Sequence, residues 1–276
     1  MKELFLHFFV PAAILTLIFV ALLLFVLPRE IRTIFKRELK AYFVSPVAYV
    51  MIVVFLGLSN GLAFFLWHVL EWGEADLFRS YFFWLPLYMT LVVPALGMRL
   101  WSEEQRLGTM ELVLTMPLSP WHAILGKFLA AAVVIFAMLV LSFPIVWTIN
   151  YLGDPDNGVM FAGYLATFLV GLVYLAVTSV MSALTRSQMV ALLISFAVCL
   201  ILWLGGLPPV NDFVTSLRGI GLALWPFLKG IQLVEILSPF EQFAKGDLHV
   251  SHLVFFISFV GFCLVATSVA LRMKRA

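Results

Sequence analysis

Few side chains in this sequence are of the kinds that do chemistry, and their spacing excludes most of it. His249 and His252 lie three apart, on one face of any helix that carries them. A metal needs further ligands, and none lies nearby in sequence, so the pair reads as interfacial and polar. Cys199 and Cys263 each sit singly inside an apolar run. They form no metal spacing and no disulfide framework, and read as small apolar fillers. Gly126-Lys127 is the nearest approach to a phosphate loop, but Phe128 follows it and no glycine-rich loop precedes it. A G-x-x-x-x-G-K-[ST] loop is therefore missing, and Lys127 reads as a snorkelling lysine at a helix start. Thr178, Ser179 and Ser182 make a small polar face that either lines a path or bonds a neighbouring helix. Gly57 and Gly61, four apart, are either a close helix contact or an ordinary pair in an apolar run. No catalytic triad, paired carboxylate or mid-span acid falls inside an apolar run, which argues against an enzyme and against a proton-driven transporter.

The elements that carry these residues are set by composition. The chain has 276 residues, of which 63% are hydrophobic and 12% charged. Soluble domains run about 45–50% apolar and about 25% charged. A mean hydropathy of +1.09 excludes a soluble enzyme, a disordered chain and a nucleic-acid binder. Seven runs of at least 19 residues lack Asp, Glu, Lys and Arg: Leu4–Pro28, Ala41–Leu70, Ser80–Met98, Phe128–Gly153, Asn157–Thr185, Ser187–Asn211 and Leu248–Leu271. Each is long enough to cross a bilayer core of about 30 Å as a helix. The runs are continuously apolar and do not alternate, so the predicted fold is all-α and polytopic.

Charge sets the orientation. With the first run ending inside, 12 of the 17 Lys and Arg residues fall on inner segments, and 10 of the 15 acids fall outside. That predicts seven spans with the N-terminus outside and the C-terminus inside. Leu4–Pro28 lacks the flank pattern of a secretory signal. It is either a signal-anchor helix or a leader added by a mis-assigned start.

The connections carry more information than the spans. In Pro28–Phe43, Ile31, Ile34, Phe35 and Leu39 repeat at helical spacing, with the basic residues mostly on the other face. This is an amphipathic helix in the inner headgroup layer or a plain extension of the first span. Ser45-Pro46, Ser119-Pro120 and Ser238-Pro239 are three sharp helix starts, and Glu241 would complete a capping box on the last. Arg99–Lys127 is the longest inner connection. Leu107, Met110, Leu112, Val113 and Leu114 form an apolar ridge rimmed by Glu103, Glu104, Arg106 and Glu111. Such a ridge meets a partner's groove or packs on its own spans. On the outer side, residues 211–247 contain Gly219–Leu237, which is broken by Pro226 and carries Lys229 and Glu235. A full span there would put the basic C-terminus outside, so it reads as two short helices that dip into the outer leaflet. Trp225 then sits at the interface, Lys229 and Glu235 point outward, and the break at Pro226 is a candidate gate.

Three stretches carry a family resemblance: KRELKAYFVSPVAYV (Lys36–Val50), RLWSEEQRLGTMELVLTMPLSPWHAILGK (Arg99–Lys127) and LSPFEQFAKGDLHVSHLVFF (Leu237–Phe256). The middle one is the most specific, through Glu103, Gly108-Thr109, Glu111, Pro117 and Lys127. Together they resemble the membrane subunit of an ABC type-2 transporter, and within that group the gliding-motility-associated permease branch. The resemblance spans Arg29 to the C-terminus. It implies a six-span transmembrane domain over 29–276, with an elbow helix at 29–43, a coupling helix at 102–116 and outer re-entrant helices in 211–247. Residues 1–28 then add an extra N-terminal span. It further implies a bacterial inner-membrane exporter permease without an ATPase site of its own. Its partners would be ABC ATPase subunits that bind ATP and Mg, a second permease (identical or paralogous) and membrane lipid. The related branch that serves nitrous-oxide-reductase maturation, or a non-transporting membrane scaffold, are the alternatives.

Overall fold

The computed structural model describes residues 2–65, 81–108, 119–152, 156–210, 212, 235–247 and 249–274. All the described regular structure is helical, as the continuous apolar runs require. The helices are α1 (Lys2–Val26), α2 (Arg29–Val44), α3 (Pro46–Leu56), α4 (Leu62–Phe65), α5 (Leu85–Gly97), α6 (Arg99–Leu107), α7 (Pro120–Leu141), α8 (Pro144–Leu152), α9 (Asn157–Leu184), α10 (Gln188–Leu204), α11 (Leu237–Ala244) and α12 (Val250–Met273).

Among the described residues, five helical stretches are long and apolar enough to cross a membrane: Pro46–Phe64, Phe82–Leu107, Pro120–Tyr151, Asn157–Leu184 and Val250–Met273. Ile14–Val26 and Gln188–Leu204 are shorter apolar helices. The expected first and sixth crossings fall on these two. The 17 residues of α10 rise about 25 Å, a little short of a bilayer core.

The core sits around α9. Its buried residues run from Met160 to Ala183 and meet α5, α6, α7, α10, α11 and α12. The helices run back and forth, so the bundle has two ends. One gathers Arg99, Lys127, Arg186 and Lys274 and is called the basic end here. The opposite end gathers Tyr81, Ser142, Tyr164 and α11. The outer faces of α3, α10 and α12 expose Val53, Leu193, Ile257 and Phe262, which suits side chains that meet lipid.

Helix starts follow the proline signals in two cases of three. Ser45 caps α3, its hydroxyl accepting from the Val47 amide at 3.3 Å, with Pro46 in the first turn. Ser119 occupies the same place before Pro120 with no side-chain cap bond. The expected capping box at Ser238 does not form. Helix α11 already begins at Leu237, which puts Ser238 and Pro239 inside its first turn. Glu241 instead accepts from Lys245 at 3.3 Å, one turn on. Apolar anchoring explains the shift, because Leu237, Phe240, Phe243 and Ala244 are all buried on one face.

Helix α1 is tied to the rest. Phe19 stacks on Phe136 of α7 with ring centres 4.3 Å apart and meets Phe168 edge-on. At its end, Arg32 donates to the carbonyls of Leu27 and Phe25, placing a cation at the helix C-terminus. Extended backbone at Pro28 separates α1 from α2, so α2 is a helix of its own and not a plain extension. The Gly57–Gly61 pair lies in a π-helical turn, and a side chain added at either glycine would meet nothing within 4 Å. Helix α5 meets this turn, but no atom stands where a side chain on either glycine would go.

Candidate functional site

The basic end is organised by α6. After the long apolar helix α5, the chain turns at Met98 and resumes as a nine-residue helix that stops at Gly108. Gly108 takes φ +69°, the left-handed conformation that ends a helix at low cost only for glycine. Three faces of α6 meet three different surroundings.

One face is clamped to α9 and α12. The Ser182 hydroxyl accepts from the amides of Trp101 at 3.0 Å and Ser102 at 3.1 Å, and donates to the Met98 carbonyl at 2.8 Å. It thereby satisfies two of the amides that a helix start leaves without partners. The Trp101 indole donates to Ser179 at 3.1 Å, and Thr267 of α12 joins the same hydroxyl. Gln105 donates to the Ala183 carbonyl at 2.7 Å and accepts from Lys274 at 2.6 Å. Partial burial and the neighbouring Arg186 guanidinium lower the Lys274 pKa. Of the two roles open to the Ser179–Ser182 face, bonding a neighbouring helix is the one observed.

A second face carries Glu104 inward. Its Oε1 lies 3.0 Å from Lys127 Nζ, and the same ammonium lies 3.5 Å from Glu38 of α2. Arg37 adds contacts of 2.7 Å to Glu38 and 4.0 Å to Glu104. Lys127 Nζ also stands 5.2 Å from the centre of the Trp101 ring. Lys127 is only 4% exposed, which corrects the expectation of a snorkelling lysine. Two carboxylates and an indole face have taken the place of water.

The helix α2 lies over this cluster. Ile31, Phe35 and Tyr42 are buried on its apolar side, while Ile34 and Leu39 are partly buried against the core. The face expected in the headgroup layer packs largely on α7. Gly126 permits the crossing, since a side chain there would stand 2.8 Å from Ile34 Cγ2 and 3.3 Å from the Phe35 amide nitrogen. Burial, with Glu38 nearby, raises the Tyr42 pKa, and its hydroxyl donates to the Leu96 carbonyl. Arg99 donates through both terminal nitrogens to the Ser45 hydroxyl at 3.2 and 3.1 Å, joining α6 to the α2–α3 corner.

The third face is open. Leu107 is 63% exposed beside the exposed Arg106, and Glu103 is half-buried. Leu107 is thus an apolar side chain held out at the end of a braced helix, with charges around it.

Over residues 15–272 the chain matches the family model described as ABC-2 family transporter protein. It belongs to that family. The match begins inside α1, so it reaches further toward the N-terminus than the expected start at Arg29. No curated protein matches the chain. As an ABC-2 transporter the chain is a multi-pass membrane permease of an ABC transporter.

The structure thus brings Glu103, Glu104, Arg106 and Leu107 onto one helix of the permease, with Glu104 turned away from the others. Met110 and Glu111, and with them most of the expected coupling helix at 102–116, lie outside the described residues. So do Trp225, Pro226 and Lys229. Glu235 is described, and its Oε2 is buried and lies near Gly206, so this oxygen does not point outward as expected. His249 lies 3.1 Å from Asp247 and its ring centre 6.0 Å from that of His252. Among the described residues no three potential metal ligands gather.

Sequence reasoning missed Trp101 and Gln105 on α6, and Glu38 and Lys274 as its partners. One signal was present. Lys127 is a lone cation within an otherwise apolar helix, and such a residue calls for a named partner.

Proposed function

We propose that this permease serves an ATP-binding cassette exporter of the bacterial inner membrane and converts ATP hydrolysis by partner ATPase subunits into substrate movement. The basic end then faces the cytoplasm, as the distribution of Lys and Arg favours. The observation that carries the reading is α6, a short helix braced on two sides with Leu107 held out on the third. The ATPase docks there, with Leu107 as apolar anchor and Glu103 and Arg106 fixing register by charge, continued by Met110 and Glu111. ATP and Mg belong to the partner's site. Two permeases, identical or paralogous, complete the complex, and the gliding-motility branch is the closest fit to Arg99–Lys127. The segment around Trp225, Pro226, Lys229 and Glu235 serves as the outer gate.

Co-purification with the ATPase tests the docking. Leu107→Asp should abolish it while leaving membrane insertion intact, since losing a central anchor typically costs about 1–3 kcal/mol, or roughly 5- to 150-fold in affinity. Undiminished recovery of the ATPase with that variant would refute the assignment.

A further inference from the structure

We propose that Lys127 is a positioning residue that holds the elbow helix α2, the docking helix α6 and the membrane helix α7 together as one body. Its consequence for transport rests on the docking role proposed for α6, but the linkage itself does not.

The argument begins with what α7 would contain if packing were its only task. Ala130, Ala131, Val134 and Ile135 of the same helix are fully buried and apolar. A buried ion pair is seldom more stabilising than apolar side chains of the same volume. What it does supply is a directional connection. Lys127 sits on α7, Glu104 on α6 and Glu38 on α2, and one ammonium lies within reach of both carboxylates. Without that cation, the two carboxylates face each other across the α2–α6 junction and repel. Arg37 is a poor substitute, because its side chain is 56% exposed and its contact with Glu104 is 4.0 Å. The hold of α6 on α9 is of another kind. It uses neutral hydrogen bonds through Ser182, Ser179 and Gln105, which do not depend on Lys127. Helix α6 therefore has an ionic hold through Lys127, a neutral hold on α9 and the Arg99–Ser45 bonds to the α2–α3 corner, and Lys127 governs only the first.

The two holds can be read separately in the full chain in lipid nanodiscs, without any partner. Spin labels at Lys40→Cys on α2 and Arg106→Cys on α6 report the ionic hold. Labels at Arg106→Cys and Ser187→Cys, just past α9, report the neutral one. All three positions are exposed. The unsubstituted cluster should give narrow distance distributions for both pairs. In Lys127→Met the 40–106 distribution should broaden and shift to longer distance, while 106–187 stays narrow. Lys127→Arg keeps a cation between Glu104 and Glu38 and should retain the shorter 40–106 distance. Glu104→Gln leaves Lys127 paired with Glu38 and serves where Lys127→Met fails to insert; it too should lengthen 40–106. An unchanged 40–106 distribution in Lys127→Met or Glu104→Gln would overturn the proposal. So would equal lengthening in Lys127→Arg and Lys127→Met, or equal broadening of both pairs. Because no ATPase is present, a failure of ATPase docking leaves this result standing.

Discussion

At the basic end, helices far apart in sequence are joined by charge and by side-chain hydrogen bonds. Lys127 meets Glu104 and Glu38, Ser182 meets the start of α6, and Lys274 meets Gln105. At the opposite end the joints are mostly aromatic and apolar. Phe82 packs edge-on against Tyr164, Tyr164 reaches Ser142, and α11 is seated by Leu237, Phe240 and Phe243. Apolar contacts are non-directional and permit small slides, whereas ion pairs and capped helix starts fix register. The difference suits the proposed function, in which the basic end receives the ATPase and the opposite end carries the gate.

The comparison can be broken most severely at Lys127. Lys127→Met leaves two carboxylates without their shared cation, and should cost about 3–5 kcal/mol, the usual consequence of removing one partner from a buried pair. Thermal unfolding in detergent would register this, and Lys127→Arg, which keeps the cation, should lose less. Next comes Ser182→Ala, which strips the amides of Trp101 and Ser102 of their partner and should cost about 1–3 kcal/mol. Hydrogen exchange should then rise at Trp101 and Ser102 and stay unchanged in α11. At the opposite end the effects should be smaller. Tyr164→Phe removes one hydroxyl bonded to Ser142 and keeps the ring packing, for about 0.5–1.5 kcal/mol. Smallest is Glu241→Gln, which loses only a partly exposed pair with Lys245 and should cost about 0–1 kcal/mol, less at high salt. If Tyr164→Phe destabilised the chain more than Lys127→Met, the contrast between the ends would be wrong.

The helical runs were legible because each is continuous in hydropathy and bounded by charge, and the described part of each of the seven charge-free runs is largely helical. The elbow helix was legible in the period of Ile31, Ile34, Phe35 and Leu39. Its destination was not, since the same apolar face suits a headgroup layer or a neighbouring helix, and only Gly126 hinted at a close crossing. The start of α11 was misplaced because the Ser-Pro signal is local, and burial of Leu237 overrode it. Of the candidate site, the exposure of Leu107 and Arg106 was legible, while the rest of the expected ridge lies outside the described residues. The inward turn of Glu104 was not, because its partner lies on a helix whose approach depends on tertiary packing.

One measurement sets the two ends directly against each other. A photoreactive residue placed at Leu107, exposed at the basic end, or at Tyr151, 91% exposed at the other, should be activated in cells that express the whole complex. The account predicts that position 107 forms an adduct identified by mass spectrometry as an ATPase carrying a phosphate-binding loop, and that position 151 does not. No ATPase adduct at 107, or equal adducts at both positions, would contradict it.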